Sequence, residues 1–224
     1  MKKTWSPYLS EKHSWLLFKI MGEFVDGFET LEKIGPCISI FGSARLKPTN
    51  KYYQLALDTA SSLAKEGFGI LTGAGLGIME AANKGAYEAS GTSAGVQIYL
   101  PFESDANQYI EKDKLFKNKY FFIRKVLFVK YAQAFIVFPG GFGTFDELFE
   151  CLTLIQTQKM KKIPIVLMGV DFWTPLIDWL KSTVLEEGCV SLLDFESFIL
   201  TDDSSQALQY IKTFYESHNL KPNF

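Results

Sequence analysis

The chain has 224 residues, 47% of them hydrophobic, and a formal net charge of −2. That length can bury the core of one domain, and a charge so near zero gives no general attraction for polyanions, which excludes nucleic acid as the expected partner. The longest apolar stretches, such as 163–170, are strand-sized and far short of the roughly 20 residues of a membrane span, and Lys2 and Lys3 are followed by no apolar run with a small-residue cleavage site, so the expected location is the cytoplasm.

Between residues 6 and 33, Trp15, Leu16, Ile20, Phe24 and Phe28 recur at spacings of three or four, which predicts a helix. Gly35 and Pro36 end it, so residues 1–34 read as a helical extension to a domain over 35–224. Cys37 to Phe41 is a short apolar run of the kind a buried parallel strand shows. Tyr52, Leu55, Ala56, Thr59, Ala60 and Leu63 mark one helical face, and 68–72 is a second strand. A helix with a small face at Ala81, Ala82, Gly85, Ala86 and Ala89 follows, small enough to let helix and sheet approach closely, and 95–100 returns as a third strand. Residues 101–120 are polar and irregular, either a loop that covers a site or a plain solvated connection. Helix over 121–132, strand over 134–138, helix over 144–158, strand over 163–170 and helix over 173–187 continue the alternation. Phe198, Ile199 and Leu200 read as a last strand, and 202–204 as the cap of a terminal helix carrying Leu208, Ile211 and Phe214. The expected fold is α/β, a doubly wound, mostly parallel sheet with helices on both faces and ligands beyond the carboxyl ends of the strands.

Three of those strand ends run into small-residue turns, each read as opening a helix: 42–45, 72–77 and 139–144. Glycine leaves backbone N–H groups uncovered, and a helix N-terminus adds orphan donors and partial positive charge, so phosphate is the natural ligand. Gly42, Ser43, Gly73, Gly75, Gly77, Gly140, Gly141, Phe142, Gly143 and Thr144 are the candidate phosphate contacts, and Arg45 either reaches a phosphate or lies at the surface. The dinucleotide and P-loop fingerprints are both absent, which favours a mononucleotide. Histidine occurs only at His13 and His218, which leaves no imidazole for a Ser-His-Asp or Cys-His mechanism, so catalysis would use carboxylates or cations. Cys37, Cys151 and Cys189 are scattered and read as reduced packing residues; with no clustered ligands, neither metal nor cofactor is expected.

Residues 139–147 read Pro-Gly-Gly-Phe-Gly-Thr-Phe-Asp-Glu, which matches the Pro-Gly-Gly-x-Gly-Thr-x-x-Glu signature of the LONELY GUY (LOG) family, also labelled lysine decarboxylase-like. The resemblance runs from 41–45 through 72–86 and 122–125 to about residue 180 and is closest to the longer branch of that family. It implies a Rossmann-like homodimer that releases the base from AMP or from cytokinin riboside 5′-monophosphates, giving ribose 5-phosphate, as in cytokinin biosynthesis. By position it makes Arg124 and Glu147 the catalytic pair, with Lys125, residues 141–144 and Thr153 contacting substrate. Ala74 and Leu76 stand where relatives commonly have glycine and proline, a departure that bears on the shape of the turn.

The local chemistry agrees with those roles. Glu147 is placed in the first turn of a helix, where the dipole favours an ionised carboxylate, able to stabilise a ribosyl cation or to activate water. Arg124 falls amid Phe121, Phe122, Ile123, Val126 and Leu127 and reads either as a charge that needs an anionic partner, substrate phosphate or Glu147, or as a structural ion pair or a snorkelling surface arginine. Asp146 reads as a solvated cap. The competing reading is a non-catalytic carrier of nucleotide or molybdenum cofactor; a lysine decarboxylase lacks a lysine in a recognisable pyridoxal-phosphate setting. The apolar N-terminal helix and 15% aromatic content fit a buried homodimer face or plain core packing.

Overall fold

The computed structural model describes residues 12–99 and 105–217, with side chains from residue 15 onward. Helix α1 (Lys12–Leu31) runs through a 3-10 turn into β1 (Cys37–Phe41), followed by α2 (Lys51–Lys65), β2 (Gly69–Thr72), α3 (Ile78–Glu88) and β3 (Ser93–Ile98). Then come β4 (Leu115–Asn118), α4 (Phe121–Tyr131), β5 (Ala132–Val137), α5 (Phe142–Gln156), β6 (Ile165–Met168), α6 (Val170–Trp179), β7 (Phe198–Thr201) and α7 (Ser204–Ser217).

The strands form one seven-stranded sheet in the order β4-β3-β2-β1-β5-β6-β7, and every adjacent pair is parallel. Successive residues of a strand point to opposite faces, so apolar residues at every position bury both. In β1, Cys37 and Phe41 join one core with α4, α5, α6 and the end of α1, while Ile38 and Ile40 join another with α2, α3 and α7. Fully buried Phe128, Phe135, Phe138 and Trp173 each stabilise the fold by about 2–3 kcal/mol of apolar transfer, and the Trp173 indole N–H donates to the Met168 carbonyl at 3.0 Å.

Four expectations are corrected. The 101–120 segment holds β4, which adds an edge strand to β3 through Gly95 opposite Leu115 and Ile98 opposite Asn118. The 42–45 turn opens no helix directly: Asn50 is the N-cap of α2, its Oδ1 accepting from Tyr52 N at 2.9 Å, a bond worth about 1 kcal/mol, after further turns through Lys47 and Pro48. Gly85 of the small face meets the Leu57 carbonyl of α2, so it admits a helix rather than the sheet. The helix expected over 173–187 is α6 from Val170 to Trp179 plus a π-helical stretch, Leu180–Leu185.

Helix α1 ends at Leu31, and Gly35 takes φ 66 before β1. It packs over β4 and α4 through Gly27, where an added Cβ would stand 2.8 Å from Leu127 Cδ1, and through Phe24 against Phe122, ring centroids 6.4 Å apart. Its outer face leaves Trp15, Phe18, Met21 and Val25 exposed. Among the described residues no helix is long and apolar enough to cross a membrane.

After β1 the chain winds outward through β2, β3 and β4, then returns to β5 on the other side of β1. The two crossovers diverge between β1 and β5, which opens a crevice at their carboxyl ends.

Candidate active site

That crevice is a cleft of about 930 Å³, within the roughly 300–1,000 Å³ of small-molecule sites. Its walls come from the end of β1 with Gly42, Ser43 and Arg45, from Asn50 and Tyr52 at the start of α2, and from Gly73 and Met79 beside β2. Phe121 and Arg124 of α4, residues 139–147 and Phe172 complete it.

The turns are tied together by backbone. Ser43 N donates to the Pro139 carbonyl and Ile78 N to the Ser43 carbonyl, both at 3.0 Å, while Phe138 N donates to Phe41 O at 2.8 Å. Ser43 therefore spends its amide on bracing the turns, and its hydroxyl accepts from Arg45 N at 3.1 Å. Gly77 caps α3 at φ 65, and a Cβ there would overlap the Ser43 carbonyl; one at Gly42 would press on Ile78, 2.5 Å away. Gly75 faces the Met79 thioether. Of the glycines assigned to phosphate, Gly75 and Gly77 lie behind the cleft rather than on its wall.

At the third turn, Gly141 and Gly143 are exposed and an added Cβ would meet nothing within 4 Å. The first amides of α5, at Phe142 and Gly143, have no intrahelical partner by geometry and border the cleft. Thr144 is buried beneath Gly140, its own amide donating to the Gly141 carbonyl at 2.9 Å. This is the anion-receptive end of the cleft.

Arg124 is half-buried in the first turn of α4. Its guanidinium lies 5.2 Å from the centre of the Phe128 ring and fills the space where Gly73 lacks a side chain. Glu147 is 5% exposed on α5, and the Arg124 charge acts on its carboxyl. The structure thus brings the two together from separate helices. The expectation of a dipole-favoured carboxylate is corrected: α5 begins at Phe142, which puts Glu147 in the second turn, beyond the reach of the helix end. Burial pushes its carboxyl up from 4.5 to about 7, with Arg124 and then Lys125 pulling the other way.

Lys125 and Thr153 are not brought to the cleft. Lys125 is bound by Asp146 and Glu150, each at 2.9 Å, and borders a shallow depression on the outer side of α5 with exposed Thr153, whose hydroxyl donates to the Phe149 carbonyl at 2.7 Å. Asp146 is accordingly an ion-pair partner and not a helix cap. Conversely, Tyr52, Met79 and Phe172 line the cleft without any distinguishing pattern in the sequence. Among the described residues no group of three His, Cys, Asp or Glu side chains is placed to hold a metal ion.

Comparison with known proteins bears on the family and the fold. The chain is 34% identical over 97 residues to the cytokinin riboside 5′-monophosphate phosphoribohydrolase LOG2 of Arabidopsis thaliana, a stretch covering 43% of this chain and 45% of that protein. It is 41% identical over 64 residues to the cytokinin riboside 5′-monophosphate phosphoribohydrolase LOG of Oryza sativa subsp. japonica, 28% of this chain and 26% of that one. The chain thus matches less than half the length of these curated relatives. In three dimensions it resembles the molybdenum cofactor carrier protein of Chlamydomonas reinhardtii, with TM-score 0.61, 23% identity and coverage of 81% of this chain and 99% of that one. It also resembles the molybdenum cofactor binding protein of Rippkaea orientalis, with TM-score 0.55, 22% identity and coverage of 80% and 97%. Those two likenesses establish a shared Rossmann-like α/β fold. The family model described as "Possible lysine decarboxylase" matches residues 79–211, more than half of the chain and including the glycine turn, Arg124 and Glu147, and the chain therefore belongs to that family, the LOG family.

Proposed function

We propose that the protein hydrolyses the N-glycosidic bond of nucleoside 5′-monophosphates, AMP or a cytokinin riboside 5′-monophosphate, to free base and ribose 5-phosphate. The observation that carries this reading is Glu147, a carboxyl buried beside Arg124 at the sheet's switch point and held near neutrality at about 7. Such a group exchanges a proton at physiological pH, as a general base must. The 5′-phosphate lies on the Gly141–Gly143 end of the cleft, where the amides opening α5 receive it. Arg124 orients the substrate. The ionised Glu147 takes a proton from water as its oxygen bonds to C1′; the C1′–N bond breaks and its electron pair leaves with the base, which is protonated from solvent. No metal or cofactor takes part, so chelators should leave the rate unchanged, and activity restored only by added metal would contradict this step.

The test compares AMP with adenosine by chromatography of released base. AMP should turn over at least about 100-fold faster in kcat/KM, because a nucleoside leaves the anion-receptive end of the cleft unpaired. Equal turnover would remove the phosphate anchor.

The second reading is a non-catalytic carrier of nucleotide or molybdenum cofactor, favoured by the fold shared over about four-fifths of the chain with molybdenum cofactor carrier and binding proteins. A carrier would bind AMP or the cofactor and release no base over hours. A lysine decarboxylase is not supported, since among the described residues no lysine lines the cleft, and Lys125, which lies off it, is paired with Asp146 and Glu150. The protein works in the cytoplasm as a homodimer, its exposed Trp15, Phe18, Met21 and Val25 on α1 and Phe122 and Val126 on α4 covered by a second copy.

A further inference from the structure

A buried polar cluster lies behind the cleft and has no part in the reaction as written. Thr72 ends β2, Asn83 lies on α3, Ser93 opens β3 and Asn107 follows β3; all four are less than a tenth exposed. Thr72 Oγ1 donates to Asn83 Oδ1 at 2.6 Å and accepts from Ala74 N at 3.0 Å. Asn107 Nδ2 lies 3.0 Å from Asn83 Oδ1, 3.2 Å from Ala74 O and 3.0 Å from Gly75 O, and Asn107 N donates to Ala74 O at 2.9 Å. Asn83 Nδ2 is anchored on Ser93 Oγ at 2.9 Å and Ala94 O at 3.1 Å.

Both backbone polar groups of Ala74 are therefore held by this cluster. Ala74 takes φ 64, a left-handed conformation that an L-residue with a side chain keeps only when its surroundings impose it. The residue before it, Gly73, carries the contact that matters in the cleft. A Cβ on Gly73 would overlap Arg124 Nη2 and stand 3.2 Å from its Cζ and 2.8 Å from Met79 Sδ, so the bare Cα is the surface against which the guanidinium rests.

We propose that Asn107, acting with Asn83 and Thr72, is a positioning residue: the cluster clamps Ala74 in its left-handed conformation and so sets Gly73 as the seat that holds the Arg124 guanidinium toward the ligand. The inference rests on the reading that the cleft binds a 5-phosphorylated ribose. Loss of the Asn107 amide donor lets Ala74 relax, the seat shifts, and Arg124 loses its alignment, although Asn107 touches neither Arg124 nor the ligand.

The test is a double-mutant cycle on the full chain, read as ribose 5-phosphate affinity by calorimetry. Asn107→Asp keeps the oxygen that accepts from Tyr109 N but removes the donor. It should weaken binding about tenfold in the wild-type background and less than twofold in the Arg124→Lys background. A structural loss or an effect of the added charge would be equal in both. Thr59→Val, which removes an equally buried hydroxyl bonded to Leu55 O and Ser204 Oγ on the far side of α2, should lower the unfolding midpoint and leave affinity unchanged. Thr72→Val should repeat the coupled loss and Thr72→Ser restore wild-type affinity, and this pair completes the cycle if Asn107→Asp does not fold. Equal losses in both backgrounds, or none, would overturn the clamp while leaving the function intact. A wild-type chain that neither binds ribose 5-phosphate nor releases base from AMP would overturn the reading of the cleft and the clamp with it.

Discussion

The turn at 72–77 and the turn at 139–144 carry similar glycine strings, yet the fold uses them in opposite ways. At Gly141 and Gly143 the missing side chain leaves open space and uncovered helix-end amides facing the cleft. At Gly73, Gly75 and Gly77 the space is already taken by the Arg124 guanidinium, the Met79 thioether and the Ser43 carbonyl. One turn leaves its backbone open to the cleft; the other lets protein pack on protein, with the Arg124 guanidinium resting against Gly73. A glycine string reports close approach to the backbone, and what approaches is decided by the rest of the fold.

Substitutions should separate the two turns. Gly77→Ala has the largest expected effect, a loss of about 3–5 kcal/mol in denaturant unfolding, because its φ of 65 is strained for alanine and the clash is with backbone that cannot swing aside. Gly73→Ala displaces a flexible guanidinium and thioether, so it should cost about 1–2 kcal/mol of stability but about 100-fold in kcat/KM, equivalent to roughly 2.7 kcal/mol. A stability loss at Gly73 as large as that at Gly77 would erase the distinction between seat and brace.

Glu147→Gln comes next and tests what the cleft does with its buried carboxyl. The folded-state value of about 7 lies above the ordinary 4.5, so the folded chain keeps a proton that the unfolded chain releases. Stability therefore falls as pH rises from about 4.5 to about 7 and stays low above it. Removing the ionisable group should raise stability by about 1–3 kcal/mol at pH 8, do nothing near pH 4.5, abolish base release and leave nucleotide affinity within about tenfold. A destabilised variant at pH 8 would mean that Glu147 is a structural ion-pair partner. The smallest effect is at Gly143→Ala, in open space inside the first turn of α5: it should add about 0.5–1 kcal/mol of stability while weakening ribose 5-phosphate binding. Unchanged binding would show that the α5 amides are not the phosphate site.

The sequence alone carries the parallel sheet, because β1, β5 and β6 are apolar at nearly every position and alternate with helical stretches. It hides β4, where Leu115-Phe116-Lys117-Asn118 at the sheet edge mixes polar with apolar residues and lacks the continuous apolar run of a central strand. The glycine turn, Arg124 and Glu147 are legible as a motif, but the direction in which neighbours point is not. Arg124 and Lys125 are adjacent on α4 and so diverge by roughly 100°, which sends one to the cleft and the other to Asp146 and Glu150. Thr153 lies six residues beyond Glu147, roughly 240° around α5, and faces the outer depression for the same reason. The near-neutral carboxyl of Glu147 is hidden too, because it depends on burial by elements distant in sequence, and that burial outweighs a helix-end effect that the position of α5 has already weakened.

The most direct test of the central claim is the pH dependence of kcat for base release from AMP, measured between pH 5.5 and 8.5. If a buried Glu147 carboxylate activates water, the rate should rise through an apparent pKa of about 7 and level off above it, and Glu147→Gln should remove both the rise and the activity. A flat profile, a rate that falls as pH rises through 7, or no release of base at any pH would contradict it.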